Sequence, residues 1–280
     1  MRNALEERLK QTAKTENQDI MRLRRQVAFD RFLARLFNGD RSELFVLKGG
    51  YSLELRLKKA RTTKDIDICI HDTSGLVDSG EEPVRQLIQQ QAEEDLGDFF
   101  YYTVGEAILD LENAPYGGYR FPVECTMAGR RFAHFSIDIA AGDAWIVPHD
   151  TIELHHWLNF AGIAAATVLT ISPEQQFAEK LHSYTMPRET PNSRVKDLVD
   201  MVLLINNTKM NADTLQNAVL KTFQRRKTHE IPLSLQNPPD SWSTQLKKMS
   251  EECGMPVEVD TAIDIIRSFC LANSILVKNI

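Results

Sequence analysis

The chain has 280 residues, 42% of them hydrophobic, with a formal net charge of −6 and a pI near 5.7. That is room for one large domain or two modest ones with a real core, and the acidic balance excludes a protein built as a whole to coat nucleic acid, leaving local basic patches as the means of contact. Cys69, Cys125, Cys253 and Cys270 form no CxxC pair and the start is polar, so zinc, disulfide and secretion readings fall away and a soluble cytoplasmic protein with no membrane span is expected.

Residues 3–14 and 18–38 read as helices, the second with Met21, Val27, Phe32, Leu33 and Leu36 near helical spacing and Asn38-Gly39 as its stop. Glu43–Leu47 is a short apolar strand feeding Lys48-Gly49-Gly50, followed by a short helix over Tyr51–Lys58. Residues 64–71 form a strand, 71–83 a polar loop and 84–96 a helix. Phe99–Ala107, Tyr119–Met127 and Arg131–Ala140 read as strands, divided by turn signals at Pro115–Gly118 and Ala128-Gly129. Ser172-Pro173-Glu174-Gln175 is a helix start with proline at the first helical position, opening a helix to about Tyr184. A turn at Met186–Asn192 leads to a helix from Ser193 to about Ile205, and helices dominate from there on. The expected architecture is α+β, a mixed sheet with helices over 1–160 including an N-terminal helical extension, then a helical bundle over 161–280.

The chemistry concentrates in residues 47–70. Asp65 and Asp67 are separated by one residue in a strand, so they share a face while Ile66 and Ile68 share the other. Two adjacent carboxylates repel unless a cation lies with them. Asp138, between Ile137 and Ile139, repeats the pattern, and three carboxylates on adjacent strands would hold two divalent ions about 3.5–4 Å apart, as nucleotide transfer from a triphosphate requires. Mg²⁺ takes oxygen ligands and keeps several waters, so few protein ligands suffice. A solvated strand end is the plain alternative. Lys48-Gly49-Gly50-Tyr51-Ser52, a glycine turn at a helix start with Ser52 as a further donor, is a candidate triphosphate cradle. Arg61 and Lys64 precede the strand as possible neutralising charges or merely solvated ones.

In the helical half, Lys180 lies beside the buried face marked by Phe177 and Leu181. Asp197 and Asp200 share a face of the next helix, one turn after Arg194. The plain reading is surface ion pairs; the apolar setting from Leu198 to Leu204 favours charges facing a cleft or one another. His155 and His156 are adjacent and cannot face one site together on a helix, and His182 is a lone histidine, so both read as packing or surface residues. Two basic clusters offer RNA contact or simply solvated faces. One is Arg22, Arg24, Arg25, Arg31, Arg35 and Arg41 against Asp30 and Asp40, and the other is Lys221, Arg225, Arg226 and Lys227.

The blocks LKGGYSLELR, RTTKDIDI, EKLHSYT and RVKDLVDM resemble, in this order, those of the AbiEii family of nucleotidyltransferase-like toxins, the toxin half of bacterial phage-resistance (abortive infection) systems. The resemblance covers about residues 40–205. It implies a polymerase-β-like nucleotidyltransferase fold followed by a helical bundle, with the active site between them. It also implies Mg²⁺ (or Mn²⁺), a nucleoside triphosphate donor, RNA as acceptor (the tRNA 3′ end, with a block of translation) and an antitoxin from a neighbouring gene. By position it makes Lys48, Gly49, Gly50 and Ser52 the triphosphate turn, Asp65 and Asp67 the metal ligands with Asp138 as third carboxylate, Lys180 a phosphate contact and Asp197 the second acidic residue. Thr63 matches a hydroxyl position that antitoxin kinases phosphorylate in some relatives, while Gly-Gly-Tyr-Ser departs from the superfamily's usual Gly-Ser turn. In this reading Asp138 helps to deprotonate the acceptor hydroxyl. A protein nucleotidylyltransferase and a weakly catalytic nucleotide- or partner-binding module are the rival readings.

Overall fold

The computed structural model describes all residues except 40, 58–59, 72–74, 77–78, 111–116, 145, 191 and 277–280. The expected helix end at Lys58, Asp40 of the first arginine cluster, parts of the 71–83 loop and the 186–192 turn, and the beginning of the Pro115–Gly118 turn lie outside the described residues. The chain divides into two compact units. The first comprises 1–55, 62–142 and 149–170; the second comprises 56–61, 143–148 and 171 onward. The helical unit therefore begins about ten residues beyond the expected division at 160, and it takes two short segments from earlier in the chain.

The first unit opens with helices α1 (Arg2–Thr15) and α2 (Ile20–Leu36), the latter capped by the Asp19 carboxylate accepting from Met21 N–H. After a 3₁₀ turn at Ser42–Leu44 come β1 (Phe45–Lys48), α3 (Gly49–Arg56), β2 (Asp65–Ile70) and α4 (Glu81–Ala92). The strands β3 (Phe100–Val104), β4 (Leu109–Asp110), β5 (Gly118–Met127), β6 (Arg130–Ala141), β7 (Asp150–Glu153) and β8 (Thr167–Thr170) follow. Among the described residues they form one mixed sheet in the order β3-β5-β6-β2-β1-β8-β7, with β4 also on β5. β2 runs parallel to β6 and antiparallel to β1. The core gathers Leu5, Leu9, Val27, Phe32, Leu33, Val84 and Ile88 of the helices against Ile66, Ile68, Phe121, Val123, Ile137 and Ile139 of the strands. Strands β7 and β8 were not expected; at four residues each they are too short for alternation to mark them. The helix expected over 84–96 starts three residues earlier, where Glu81 and Glu82 meet the favourable N-terminal dipole.

Four of the six arginines of the first cluster are paired with carboxylates. Arg31 and Arg35 are buried in α2 and both bond the Asp98 carboxylate, Arg35 through Nη2 at 2.6 Å and Nη1 at 2.9 Å and Arg31 through Nε at 2.7 Å. Arg22 pairs with Glu54 and Arg24 with Glu6, each at 2.6 Å. His155 is exposed but tied to the core: its backbone N–H and ring Nδ1, with Trp157 Nε1, converge on Asp30, which also holds the Tyr51 hydroxyl.

The second unit is helical: α5 (Pro173–Thr185), α6 (Val195–Asn207), α7 (Ala212–Arg226), α8 (Ser243–Glu252) and α9 (Val259–Ala272). Ser172 caps α5 by accepting from Gln175 N–H, and Asn211 caps α7 by accepting from Thr214 N–H. Phe177, Leu198, Val202, Leu215, Ile263 and Ile266 fill its interior. His182 is 2% exposed and shares a hydrogen bond with the Thr228 hydroxyl at 2.8 Å. Among the described residues no helix is long and apolar enough to cross a membrane.

Two stability outcomes follow. Replacing Asp98 with alanine strands two buried guanidinium groups and should cost about 3–5 kcal/mol, read by urea denaturation. Burial and the nearby Arg226 push His182 down to about 3, so it is neutral when folded and protonates far more readily when unfolded. Stability should therefore fall as pH drops from about 6.5 toward about 3, by up to about 1.4 kcal/mol per pH unit from this residue. A His182→Gln variant should flatten that slope in thermal melts; an unchanged slope would refute the assignment.

Candidate active site

Strand register assembles the first set of expected residues. Alternation in β2 buries Ile66 and Ile68 and turns Asp65 and Asp67 to the opposite face. The parallel ladder sets Asp67 opposite Asp138 of β6, and the antiparallel ladder sets it opposite Lys48 of β1. On the far side of β6, Arg120 of β5 is paired with Asp138. Directly opposed residues share a face, so four neighbouring strands present a row Arg120, Asp138, Asp67, Lys48, with Asp65 two residues along.

Arg120 was not anticipated. Its Nε donates to Asp138 Oδ1 and its Nη2 to Asp138 Oδ2, each at 2.6 Å, and Nη2 lies 3.4 Å from Asp65 Oδ2. These hydrogen bonds to Asp138, with the charges of Asp138 and Asp65, raise the guanidinium pKa above its already high ordinary value. Only the strand pairing reveals this contact, since 18 residues separate the partners. Asp138 thus spends both oxygens on an arginine, which departs from its expected place as third metal ligand. Among the described residues no three His, Cys, Asp or Glu side chains are gathered so as to hold an ion together. Asp65 and Asp67 place carboxylate oxygens on one face, a donor type that suits a hard dication keeping several waters.

Gly49 starts α3 with φ +67°, and a Cβ placed there would lie 1.9 Å from Asp67 Oδ2 and 2.4 Å from Asp67 Cγ. The Asp67 carboxylate therefore fills the space that a side chain at 49 would take, and glycine is required on both counts. Ser52, expected as a phosphate donor, is fully buried, and its hydroxyl pairs with that of Thr170, which in turn donates to Leu47 O. It braces α3 against β8 and β1. Thr63 is also buried; its hydroxyl donates to Asp65 Oδ1 at 3.1 Å, and its backbone N–H reaches Glu54. Glu54 also accepts from Arg22 and Gln26, so α2 and α3 together orient the approach to β2.

In the helical unit, Lys180 Nζ lies 3.0 Å from Asp197 Oδ1 and 2.9 Å from Asp200 Oδ2. Arg61, read as either a neutralising charge for phosphate or a solvated one, grips Asp200 with two bonds of 2.8 Å. Burial opposes the charge on Lys180, but Asp200 and Asp197 outweigh it and raise its pKa. Burial likewise opposes ionisation of Asp200, and Lys180 and Arg61 reverse the effect, holding the carboxyl below its ordinary range. Lys180 is a fixed cation and not a base. Arg194 Nη1 stands 3.8 Å from Asp197 Oδ2. Arg226 of the second basic cluster is turned to Asp143 and Glu179.

Paired strand carboxylates behind a glycine-led helix in a mixed sheet, followed in the chain by a helical unit, are the marks of a nucleotidyltransferase. The chain belongs to the AbiEii family of nucleotidyltransferase toxins of type IV toxin–antitoxin systems, which it matches over residues 31–263. No curated protein sequence matches it at a significant level. Its fold is similar to that of MenT4, a nucleotidyltransferase toxin from Mycobacterium tuberculosis, at 16% identity over 97% of this chain and 98% of that one, with a TM-score of 0.56. A structure of JHP933 from Helicobacter pylori aligns at 13% identity over 90% and 94% of the two chains, with a TM-score of 0.48.

A Gly49→Ala variant should displace Asp67 and reduce nucleotide transfer by more than about tenfold. Gly39→Ala is the control, because Gly39 shares the positive φ (+77°) but has nothing within 4 Å of the added carbon. Equal transfer rates in the two variants would show that the close approach of Asp67 does not matter.

Proposed function

We propose that this nucleotidyltransferase moves a nucleoside monophosphate from a triphosphate to the 3′ end of an RNA, tRNA being the favoured acceptor, and so blocks translation. The observation that carries the reading is the placement of Asp65 and Asp67 on one face with Asp138 opposite Asp67, beside a helix start that admits no side chain. Asp65 and Asp67 would hold Mg²⁺, which when bound would stabilise charge on the triphosphate. Lys48 and the backbone N–H groups of Gly49 and Gly50 receive phosphate oxygens at the start of α3. Lys180, kept charged by Asp197 and Asp200, is the phosphate contact of the helical unit. Ser52 has no part in it, since its buried hydroxyl is turned to Thr170.

In the transfer, the acceptor hydroxyl oxygen forms a bond to the α-phosphorus, the bond from that phosphorus to the bridging oxygen breaks, and pyrophosphate departs with the electron pair. The hydroxyl proton passes to solvent, because the Asp138 carboxylate is engaged by Arg120. Activity of this kind calls for a cognate antitoxin, as the family's place in toxin–antitoxin systems implies in general.

Incubation with each α-³²P-labelled nucleoside triphosphate, Mg²⁺ and total RNA should give label that is removed by RNase and resists protease. Asp65→Ala should reduce it by about a hundredfold or more. Label removed only by protease would favour protein nucleotidylylation. No label on RNA or protein with any of the four triphosphates would defeat the enzymatic reading.

A further inference from the structure

We propose that Arg120 takes the place of a second metal ion, so that the carboxylate row binds one divalent cation per chain and not two. The inference rests on the reading of Asp65 and Asp67 as the metal-binding pair. Backbone register argues for it first: Arg120 and Asp138 are direct antiparallel neighbours on adjacent strands, so their side chains share a face whatever else occupies the site. Close packing of β5 on β6 reinforces this, since a Cβ on Gly118, two residues before Arg120, would stand 2.2 Å from Ile139 O.

Geometry argues for it second. A planar guanidinium meets a carboxylate with two parallel bonds, here both 2.6 Å, and satisfies both oxygens of Asp138 at once. The same Nη2 approaches Asp65 at 3.4 Å, so a single positive charge lies between two of the three carboxylates. The Arg120 side chain remains about a third exposed, which distinguishes it from the fully buried pairs at Asp98 that serve packing. A permanent side-chain cation fixes Asp138 in one orientation and lowers repulsion across the row without any ion having to be bound there. Arg120 is accordingly a positioning residue for Asp138, and the sheet keeps its charge balance with a single ion at Asp65 and Asp67.

The test is a titration with Mn²⁺ alone, followed by loss of the free-ion electron paramagnetic resonance signal, on wild type, Asp65→Asn, Arg120→Gln and Arg120→Lys. Wild type should bind one ion, lost in Asp65→Asn, while Arg120→Gln should bind two and Arg120→Lys, which keeps the charge, should bind one. Two ions in wild type, or one in Arg120→Gln as in wild type, would overturn the inference while leaving the metal pair intact. No binding in any of the four proteins would overturn the inference and the metal pair together. Arg120→Lys also guards against misfolding, since circular dichroism matching wild type in both Arg120 variants shows the sheet intact. If Arg120→Gln unfolds, Arg120→Lys still decides: one ion at roughly wild-type affinity supports the charge substitution, and two ions refute it.

Discussion

The in-register parallel pairing of β2 with β6 is the constraint on which the site depends, because it forces Asp67 and Asp138 side by side. Two unit charges about 5 Å apart near a protein surface repel by about 3 kcal/mol. A sheet would relieve that by slipping one residue, and the opposite face prevents it. Ile66, Ile68 and Ile70 on β2 and Ile137 and Ile139 on β6 are buried in the core, and a one-residue slip would put Asp65 and Asp67 there instead. Hydrophobic burial on one face thus holds an unfavourable charge arrangement on the other. The neighbouring strands then complete the row with Arg120 on one side and Lys48 on the other.

The same logic runs through the helices that back the sheet. Each buried acid there gathers several donors: Asp98 takes Arg31 and Arg35, Asp30 takes Tyr51, His155 and Trp157, and Glu54 takes Arg22, Gln26 and the Thr63 N–H. Ionised groups in a core are tolerated only when satisfied in this way. The Glu54 cluster matters most for chemistry. It connects α2 and α3 to Thr63, and the Thr63 hydroxyl reaches Asp65, so the position of one candidate ligand is tied to the packing of two helices.

What the amino-acid order made legible were features with a local period or cap. The Asp-Ile-Asp alternation, the isoleucines about Asp138, the Gly-Gly helix start and the Ser172 cap all declare themselves within a few residues, and the structure places them as expected. What stayed hidden required partners far apart in the chain. Arg120 has no local mark that pairs it with Asp138 across β5 and β6, and nothing near Arg61 in the chain points to Asp200, 139 residues on. The buried pairing of Arg31 and Arg35 stays hidden for the same reason, since Asp98 lies 63 residues beyond Arg35. Ser52 has the right residue type at the right turn, but its helix turns it toward Thr170 of β8.

Charge balance within each unit connects these findings to nucleotide chemistry. On the sheet, Asp65, Asp67 and Asp138 outnumber Lys48 and Arg120 by one, leaving a net negative face that favours a cation. Among the helices the sign is reversed. Lys180, Arg61, Arg194 and Arg188 lie about Asp197 and Asp200, leaving a net positive cluster that favours an anion. Neither cluster is neutral, and neither carries a large surplus that would attract ions indiscriminately. Each cluster acts through its own local sign and not through the net charge of −6 of the chain.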